Sequence, residues 1–345
     1  MTTRRRLPFP IVVAELKIVF AVVFAVVSAL FVRFWRRLLR GPAVASWSWA
    51  VELTVVAMRA GINAVIGRSD LPALRRLGSR LDPPLLRGLR SLVDVEGVSL
   101  GGRPAERHTR RSELAAKGDL LYLHGGGYAA GSPASHRNLV ASLTWETGLR
   151  AWALAYRLAP EHPFPSAVDD AEAAYRELLD AGIDPNRLMI AGDSAGGGLA
   201  MALLLRLKTV GAPLPAGAFL FSPYVDLEHT GASLAANAAT DYLPRVPPGD
   251  ANDGYLAGAD PRLPEASPLY GDLTDLPPLL ILAGDREMIF DDGTRLAERA
   301  RAAGVSADLH VGTDMPHVWP ALFPYHPASK LALARIADWV AATVA

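Results

Sequence analysis

Ser194 stands in Gly192-Asp193-Ser194-Ala195-Gly196, a G-x-S-x-G pentapeptide that directly follows the apolar run Leu188-Met189-Ile190-Ala191. The small residues let a strand turn sharply into a helix. Such a turn holds a serine in a strained, exposed position where a base can reach its hydroxyl. Gly, Ser and Ala also meet by chance in flexible turns, so the pentapeptide gains meaning only from its context. His124-Gly125-Gly126-Gly127 follows the apolar Leu120-Leu121-Tyr122-Leu123 about seventy residues upstream, and Met315-Pro316-His317 lies far downstream.

A serine hydroxyl is nearly unreactive at neutral pH and needs a neighbouring base. Of the eight histidines, His317 is the best candidate, because it falls between the last expected strand and the C-terminal helix. That loop lies at the carboxyl ends of the strands, where catalytic groups gather in open α/β sheets. The base in turn needs an acid that fixes its tautomer and stabilises the imidazolium. The loop 283–293 offers Asp285, Glu287, Asp291 and Asp292. Asp291 and Asp292 sit where a helix begins and are expected to cap it. Asp285 and Glu287 remain, and the residues themselves do not separate them. The glycine run after His124 can turn backbone N–H groups toward one point. With the N–H of Ala195 it would form an oxyanion hole, each donor of which is worth ~3 kcal/mol in the transition state. A phosphate-binding loop is the alternative, but no Gly-Lys-Ser/Thr follows and Tyr128 closes the run. His124 is expected to brace the loop, with Gly127 completing it.

These groups need a scaffold, and the chain is long enough to build one. Its 345 residues, half of them hydrophobic, suit one large α/β domain with additions. Lys+Arg and Asp+Glu balance at 35 each, which gives no footprint for nucleic acid. The absence of cysteine excludes a disulfide framework, a thiolate metal site and a cysteine nucleophile. From about residue 92, short apolar runs alternate with amphipathic stretches. Strands are expected at 120–123, 151–155, 188–191, 218–221, 279–282 and 307–311, and helices at 135–147, 165–181, 197–210, 293–303 and 329–342. This alternation implies a mostly parallel sheet covered on both faces. Residues 223–278, rich in Pro, Asp and Ala, interrupt the rhythm as an excursion from the sheet.

The N-terminus is different. Arg4-Arg5-Arg6 leads into the apolar segment 11–32, and Arg33, Arg36, Arg37 and Arg40 follow. A bilayer-spanning helix needs ~20 apolar residues, and here Glu15 and Lys17 fall near one end. The segment reads as a membrane anchor; the alternatives are a helix packed on the protein's own cap and a cleaved signal peptide. Basic residues on both sides leave its orientation open. Gly41-Pro42 breaks the helix, and 47–66 reads as a second, amphipathic helix. Residues 67–90 read as loop and short helix.

Four segments together carry a family resemblance: His124-Gly125-Gly126-Gly127-Tyr128, Tyr156-Arg157-Leu158-Ala159-Pro160 running on through Glu161-His162-Pro163-Phe164-Pro165, Gly192-Asp193-Ser194-Ala195-Gly196-Gly197, and Asp314-Met315-Pro316-His317-Val318. Over residues 90–345 the chain resembles the hormone-sensitive-lipase branch of the α/β-hydrolases, the family IV esterases. The resemblance implies an α/β-hydrolase fold, with an eight-stranded sheet, helices on both faces and a helical cap. With the N-terminal hydrophobic helix (1–44) set apart, it implies cap helices (45–91), a catalytic domain (92–222 and 279–345) and a cap insertion (223–278). It also bears on the acid. The family loop D-P-L-x-D places its catalytic acid four residues before the second Asp, which here is Asp291, and about thirty before the histidine. That register falls on Glu287, a Glu where the family has Asp, so Asp285 stays as second choice. Asp193 is implied to support the loop.

The expected protein is a serine carboxylesterase with Ser194, His317 and Glu287 as triad and Gly125, Gly126 and Ala195 as oxyanion hole, acting on a small ester without metal or organic cofactor. An amide or formamide hydrolase and a membrane-anchored deacetylase would use the same triad. A non-catalytic receptor of the same fold would lack the histidine that is present here. The N-terminal helix suggests membrane association through residues 11–32; without that contact the chain would be cytoplasmic.

Overall fold

The computed structural model describes residues 9–65, 75, 76, 78, 83–112, 115–244 and 253–344, with the backbone alone for 9–16 and 253. Of the expected loop and short helix 67–90, residues 67–74, 77 and 79–82, and of the insertion residues 245–252, lie outside the described residues.

Eight strands form one sheet: β1 (Val93–Leu100), β2 (Arg103–Arg110), β3 (Asp119–Leu123), β4 (Arg150–Leu154), β5 (Leu188–Asp193), β6 (Gly217–Phe221), β7 (Leu279–Gly284) and β8 (Ala307–Gly312). Their order is β1-β2-β4-β3-β5-β6-β7-β8. β1 and β2 pair antiparallel, as do β2 and β4, and the remaining neighbours are parallel. The longer helices are α1 (Phe9–Arg40), α2 (Trp49–Val65), α3 (Pro133–Thr147), α4 (Ser166–Asp180), α5 (Ala195–Thr209), α6 (Phe290–Ala302) and α7 (Pro327–Thr343).

The apolar runs in the sequence correspond to strands buried on both faces. Successive side chains point to opposite sides of a strand, and they join two different cores. Leu121, Leu123, Ile190, Leu220 and Ile281 pack with α4, α5 and α6. Their neighbours Leu120, Tyr122, Met189, Phe221 and Leu282 pack with α3 and α7. Gly182, Gly211 and Gly304 follow α4, α5 and α6 at φ of +85°, +65° and +82°, the left-handed caps expected of them.

Two strands carried no apolar signal. β1 is an edge strand with only its end residues buried, and Ala105 and His108 are the buried residues of β2. Half-solvated antiparallel strands need no apolar run, so Val93–Leu100 and Arg103–Arg110 did not read as strands.

At the N-terminus, α1 runs through the arginines after the apolar segment and ends at Gly41, the expected break, whose φ is +79°. It returns antiparallel as α2. Phe34 meets Trp49 at one end of the hairpin, and Val22 and Val26 face Gly61 at the other. Arg33 and Arg37 of α1 both pair with the fully buried Glu52 of α2, which also accepts from Ala43 N at 2.9 Å. Removing one partner of a buried pair costs about 3–5 kcal/mol, so these arginines lock the hairpin. The opposite face of α2 packs Val51 and Val55 with Trp47 and with Tyr242 of the excursion after β6.

Candidate active site

The nucleophile candidate sits where β5 becomes α5. Ser194 has φ 53° and ψ −123°, outside the regions comfortable for an L-residue, a strain worth ~1–3 kcal/mol. The surrounding backbone holds it there. Ser194 N donates to Phe221 O at 2.9 Å, and Ser194 O accepts from Tyr224 N at 2.9 Å and Gly198 N at 3.1 Å. The glycines of the pentapeptide follow from close approach: a Cβ on Gly192 would strike Gly196 O, and one on Gly196 would strike Leu123 O. Ser194 is half-buried between the fully buried Asp193 and Ala195.

His317 follows β8 and Glu287 follows β7. His317 Nδ1 lies 3.0 Å from Glu287 Oε2. An ionised carboxylate can only accept, so Nδ1 carries the hydrogen and Nε2 is left as the basic nitrogen. The second carboxylate oxygen accepts from Gly284 N at 3.0 Å. Both side chains are buried. Burial alone would lower the His317 pKa, but the carboxylates of Glu287, Asp241 and Asp193 outweigh it and raise the imidazole above its ordinary 6.5. Asp285, the other candidate acid, faces elsewhere. Its Oδ1 accepts from Asp314 N at 2.7 Å, bracing the loop that precedes His317.

The oxyanion expectation needs one correction. Gly125 N donates to Asp193 Oδ1 at 2.9 Å, so that donor is already committed. A Cβ on Gly125 would collide with the same carboxylate. Among the described residues, the N–H groups of Gly126, Gly127 and Ala195 make no hydrogen bond. Asp193 also accepts from Tyr122 OH at 2.6 Å and faces His136 Nε2 at 3.2 Å. Burial would raise its pKa, but His136 and Tyr122 outweigh that and hold it at about 2. An ionised Asp193 thus ties the glycine loop to the residue before Ser194. His124 is buried against the same loop, with Nδ1 2.8 Å from Gly125 O and its ring stacked on Tyr156 at 4.3 Å. Burial and the neighbouring His136 lower its pKa to about 4, so it stays neutral and braces.

A second correction concerns Asp291 and Asp292. Neither caps α6. Asp291 Oδ2 accepts from Ser233 N at 2.9 Å, and Asp292 Oδ2 accepts from Val225 N at 2.9 Å and Asp226 N at 3.0 Å. They fasten the excursion after β6 to the sheet.

Four residues between the end of β6 and the start of β7 touch the site and carried no motif in the sequence. Ser222, at φ 45°, accepts from Val318 N at 3.0 Å and helps to lower the Glu287 pKa against burial, standing between the loops that carry Glu287 and His317. Buried Asp241 accepts from Met288 N at 2.6 Å, beside Glu287. Tyr242 lays its ring 5.7 Å from the His317 imidazole. Asn237 Nδ2 donates to Asp285 O at 3.0 Å and to Glu287 O at 2.9 Å. A buried Ser or Asp spaced irregularly along a Pro- and Ala-rich stretch offers no period to read. The common signal was position alone, in the long connection between β6 and β7.

A sheet of this order, a serine at its strand-to-helix elbow and a buried imidazole–carboxylate pair at the same edge define a carboxylic ester hydrolase, and the relatives agree. Residues 120–321 match the family described as alpha/beta hydrolase fold. An acetyl-hydrolase of Streptomyces hygroscopicus is 48% identical over 217 residues, covering 62% of this chain and 72% of that protein. An esterase of Acinetobacter venetianus is 36% identical over 249 residues, covering 72% and 82%. The crystal structure of an esterase from the bacterial hormone-sensitive lipase family superposes with a TM-score of 0.79 at 40% identity, covering 87% of this chain and 100% of that one. The chain belongs to the hormone-sensitive-lipase branch of the α/β-hydrolase superfamily.

Proposed function

We propose that this esterase cleaves short-chain carboxylic esters through an acyl-enzyme on Ser194, with His317 as general base and acid and Glu287 as the acid that orients it. His317 Nε2 takes the hydroxyl proton as Ser194 Oγ attacks the ester carbonyl. The N–H groups of Gly126, Gly127 and Ala195 stabilise the oxyanion. His317 then gives its proton to the departing alkoxide, which leaves as the alcohol. Water, losing a proton to the same nitrogen, attacks the acyl-enzyme and releases the carboxylic acid, and Ser194 recovers its hydrogen. The observation that carries this reading is the buried 3.0 Å contact of His317 Nδ1 with Glu287 Oε2, on loops that leave the same edge of the parallel sheet as the strained Ser194 elbow.

Short acyl chains are favoured by the closeness of the walls. We read α2 and the excursion 223–278 as the cap, because Tyr242 covers the imidazole and is itself covered by Val51 and Val55 of α2. The Streptomyces hygroscopicus relative is an acetyl-hydrolase, and the related EstE5 was crystallised and soaked with p-nitrophenyl butyrate. In a p-nitrophenyl ester series, kcat/KM is expected to peak between acetyl and butyryl esters and to fall with chain length. A steady rise toward long-chain triglycerides would contradict the cap assignment.

We also propose that α1 attaches the enzyme to a membrane. The helix has a segment, Lys17–Arg40, long and apolar enough to cross one, and most of that segment is exposed. In fractionated cells the full chain is expected in the membrane pellet; recovery of all of it in the soluble fraction without detergent would contradict the attachment.

A further inference from the structure

The way α1 is packed restricts how it can meet a membrane. One of its faces is covered by α2 from Val22 to Arg37, through the Val22–Val26–Gly61 contact, the Phe34–Trp49 contact and the Arg33–Glu52–Arg37 pairing. The other face of α2 is fixed to the catalytic body. Val51 and Val55 pack on Tyr242, Arg59 Nε donates to Asp241 O at 2.7 Å, and Trp47 Nε1 donates to Asp314 O at 2.6 Å in the loop of His317. The helix, its partner and the catalytic loops are therefore three successive layers. If α1 crossed a bilayer upright, α2 and the site wall beside it would be drawn to the same depth, with Arg59 and Glu52. Charged groups in hydrocarbon are strongly unfavourable.

What α1 leaves uncovered is a broad apolar face, on which Val23, Val32 and Leu39 are also exposed, with one stripe along its middle. Phe20, Phe24, Val27, Phe31, Trp35 and Leu38 recur at steps of three and four and are 48–73% exposed. This is the spacing of one helical face. At 1.5 Å per residue, α1 is about 48 Å long. Its sequence holds five basic residues and one acidic one, and Lys17, Arg36 and Arg40 are exposed. Trp35 and Trp49, both exposed, lie at the arginine-rich end. An apolar stripe with cations and tryptophans at its border matches an anionic lipid surface, where tryptophan sits at headgroup level. A second copy packed stripe to stripe would instead crowd these cations together. Beside the stripe, an open apolar groove of about 640 Å³ between the helices, bounded by Leu30, Phe34, Leu53 and Ala57, offers room for a lipid chain.

We propose that α1 lies in the plane of the membrane surface, its Phe20-to-Leu38 stripe immersed among the acyl chains, and does not cross the bilayer. The enzyme is then monotopic, with the α2 wall of its active site held just above the lipid. This rests on the attachment proposed above and is independent of the assignment of the triad. An in-plane helix of this kind sinks its apolar face by ~5–10 Å, and every stripe residue should reach the same depth.

The native chain has no cysteine, so single thiols report one position each. Phe20→Cys, Phe24→Cys, Phe31→Cys and Leu38→Cys, made in the full chain and labelled with an environment-sensitive fluorophore, would be bound to phosphatidylcholine–phosphatidylglycerol vesicles. Lipids carrying a nitroxide at the headgroup or deep in the acyl chain would then quench them. The expected result is equal quenching at all four positions, strong from the shallow probe and weak from the deep one. A triple variant, Phe20→Ser with Phe24→Ser and Phe31→Ser, should release the protein from vesicles while p-nitrophenyl acetate hydrolysis is unchanged. Deep quenching at Phe24 and Phe31 with shallow quenching at Phe20 and Leu38 would show a spanning helix, overturning the in-plane placement but not the attachment. No binding to vesicles, with the stripe buried in a dimer or left in water, would overturn both.

Discussion

Ser194→Ala is expected to fold as the parent does and to lose on the order of 10⁶ in kcat, the scale seen when a serine hydrolase loses its nucleophile. The loss should be this large because Oγ forms the bond that splits one hard step into two easier ones. What survives would come from the oxyanion donors and from substrate binding. The backbone around residue 194 is held by Phe221 O, Tyr224 N and Gly198 N, none of which needs the hydroxyl. Thermal unfolding of the variant should therefore match that of the parent. Loss of activity accompanied by loss of the folding transition would leave Ser194 a structural residue and contradict the mechanism.

Glu287→Gln should cost about 10⁴ in kcat, the scale reported for amidating the acid of a related triad. The amide has the wrong hydrogen-bonding capacity for His317 Nδ1–H if its NH₂ faces the ring. It also removes the negative charge that offsets burial. The pH profile separates this from simple damage. His317 must be neutral to accept the serine proton, so activity is present above its pKa and is lost as pH falls through it. Because Glu287 and Asp241 raise that pKa above 6.5, the acid limb of kcat/KM in the parent should lie above pH 6.5. In Glu287→Gln the residual activity should show that limb at lower pH, with KM little changed. Asp285→Asn should cost far less and leave the limb in place, since Asp285 braces Asp314 N and makes no contact with the imidazole. If Asp285→Asn were the more damaging change, the assignment of the acid would be overturned.

Much of this could be read from the chain because the site residues sit on the strongest local signals. β3, β5, β6 and β7 are buried on both faces, so their apolar runs stand out, and the glycines near Ser194 are forced by backbone contacts that allow no side chain. The choice between Asp285 and Glu287 is different in kind. Both lie in one turn after β7, and only the path of that turn decides which carboxylate meets His317. Gly125 was expected to donate to an oxyanion because a glycine run shows that N–H groups converge without showing what they converge on. Asp193 captures the first of them. Asp291 and Asp292 looked like helix caps from position alone, but the excursion after β6 claims both side chains. β1 and β2 escaped notice because a half-solvated strand keeps polar residues. The N-terminal helix was ambiguous between anchor and cap because each face satisfies one reading: Arg33 and Arg37 pack it on α2, and Phe20 to Leu38 remain exposed.

The account depends most on Ser194 being the atom that bonds the acyl group. A fluorophosphonate phosphonylates an activated serine and stops at the covalent adduct. The full-length enzyme should take up one equivalent, lose its esterase activity in proportion, and on peptide mapping carry the phosphonyl group on Ser194. An adduct on a different serine, or full inhibition with Ser194 unmodified, would contradict it.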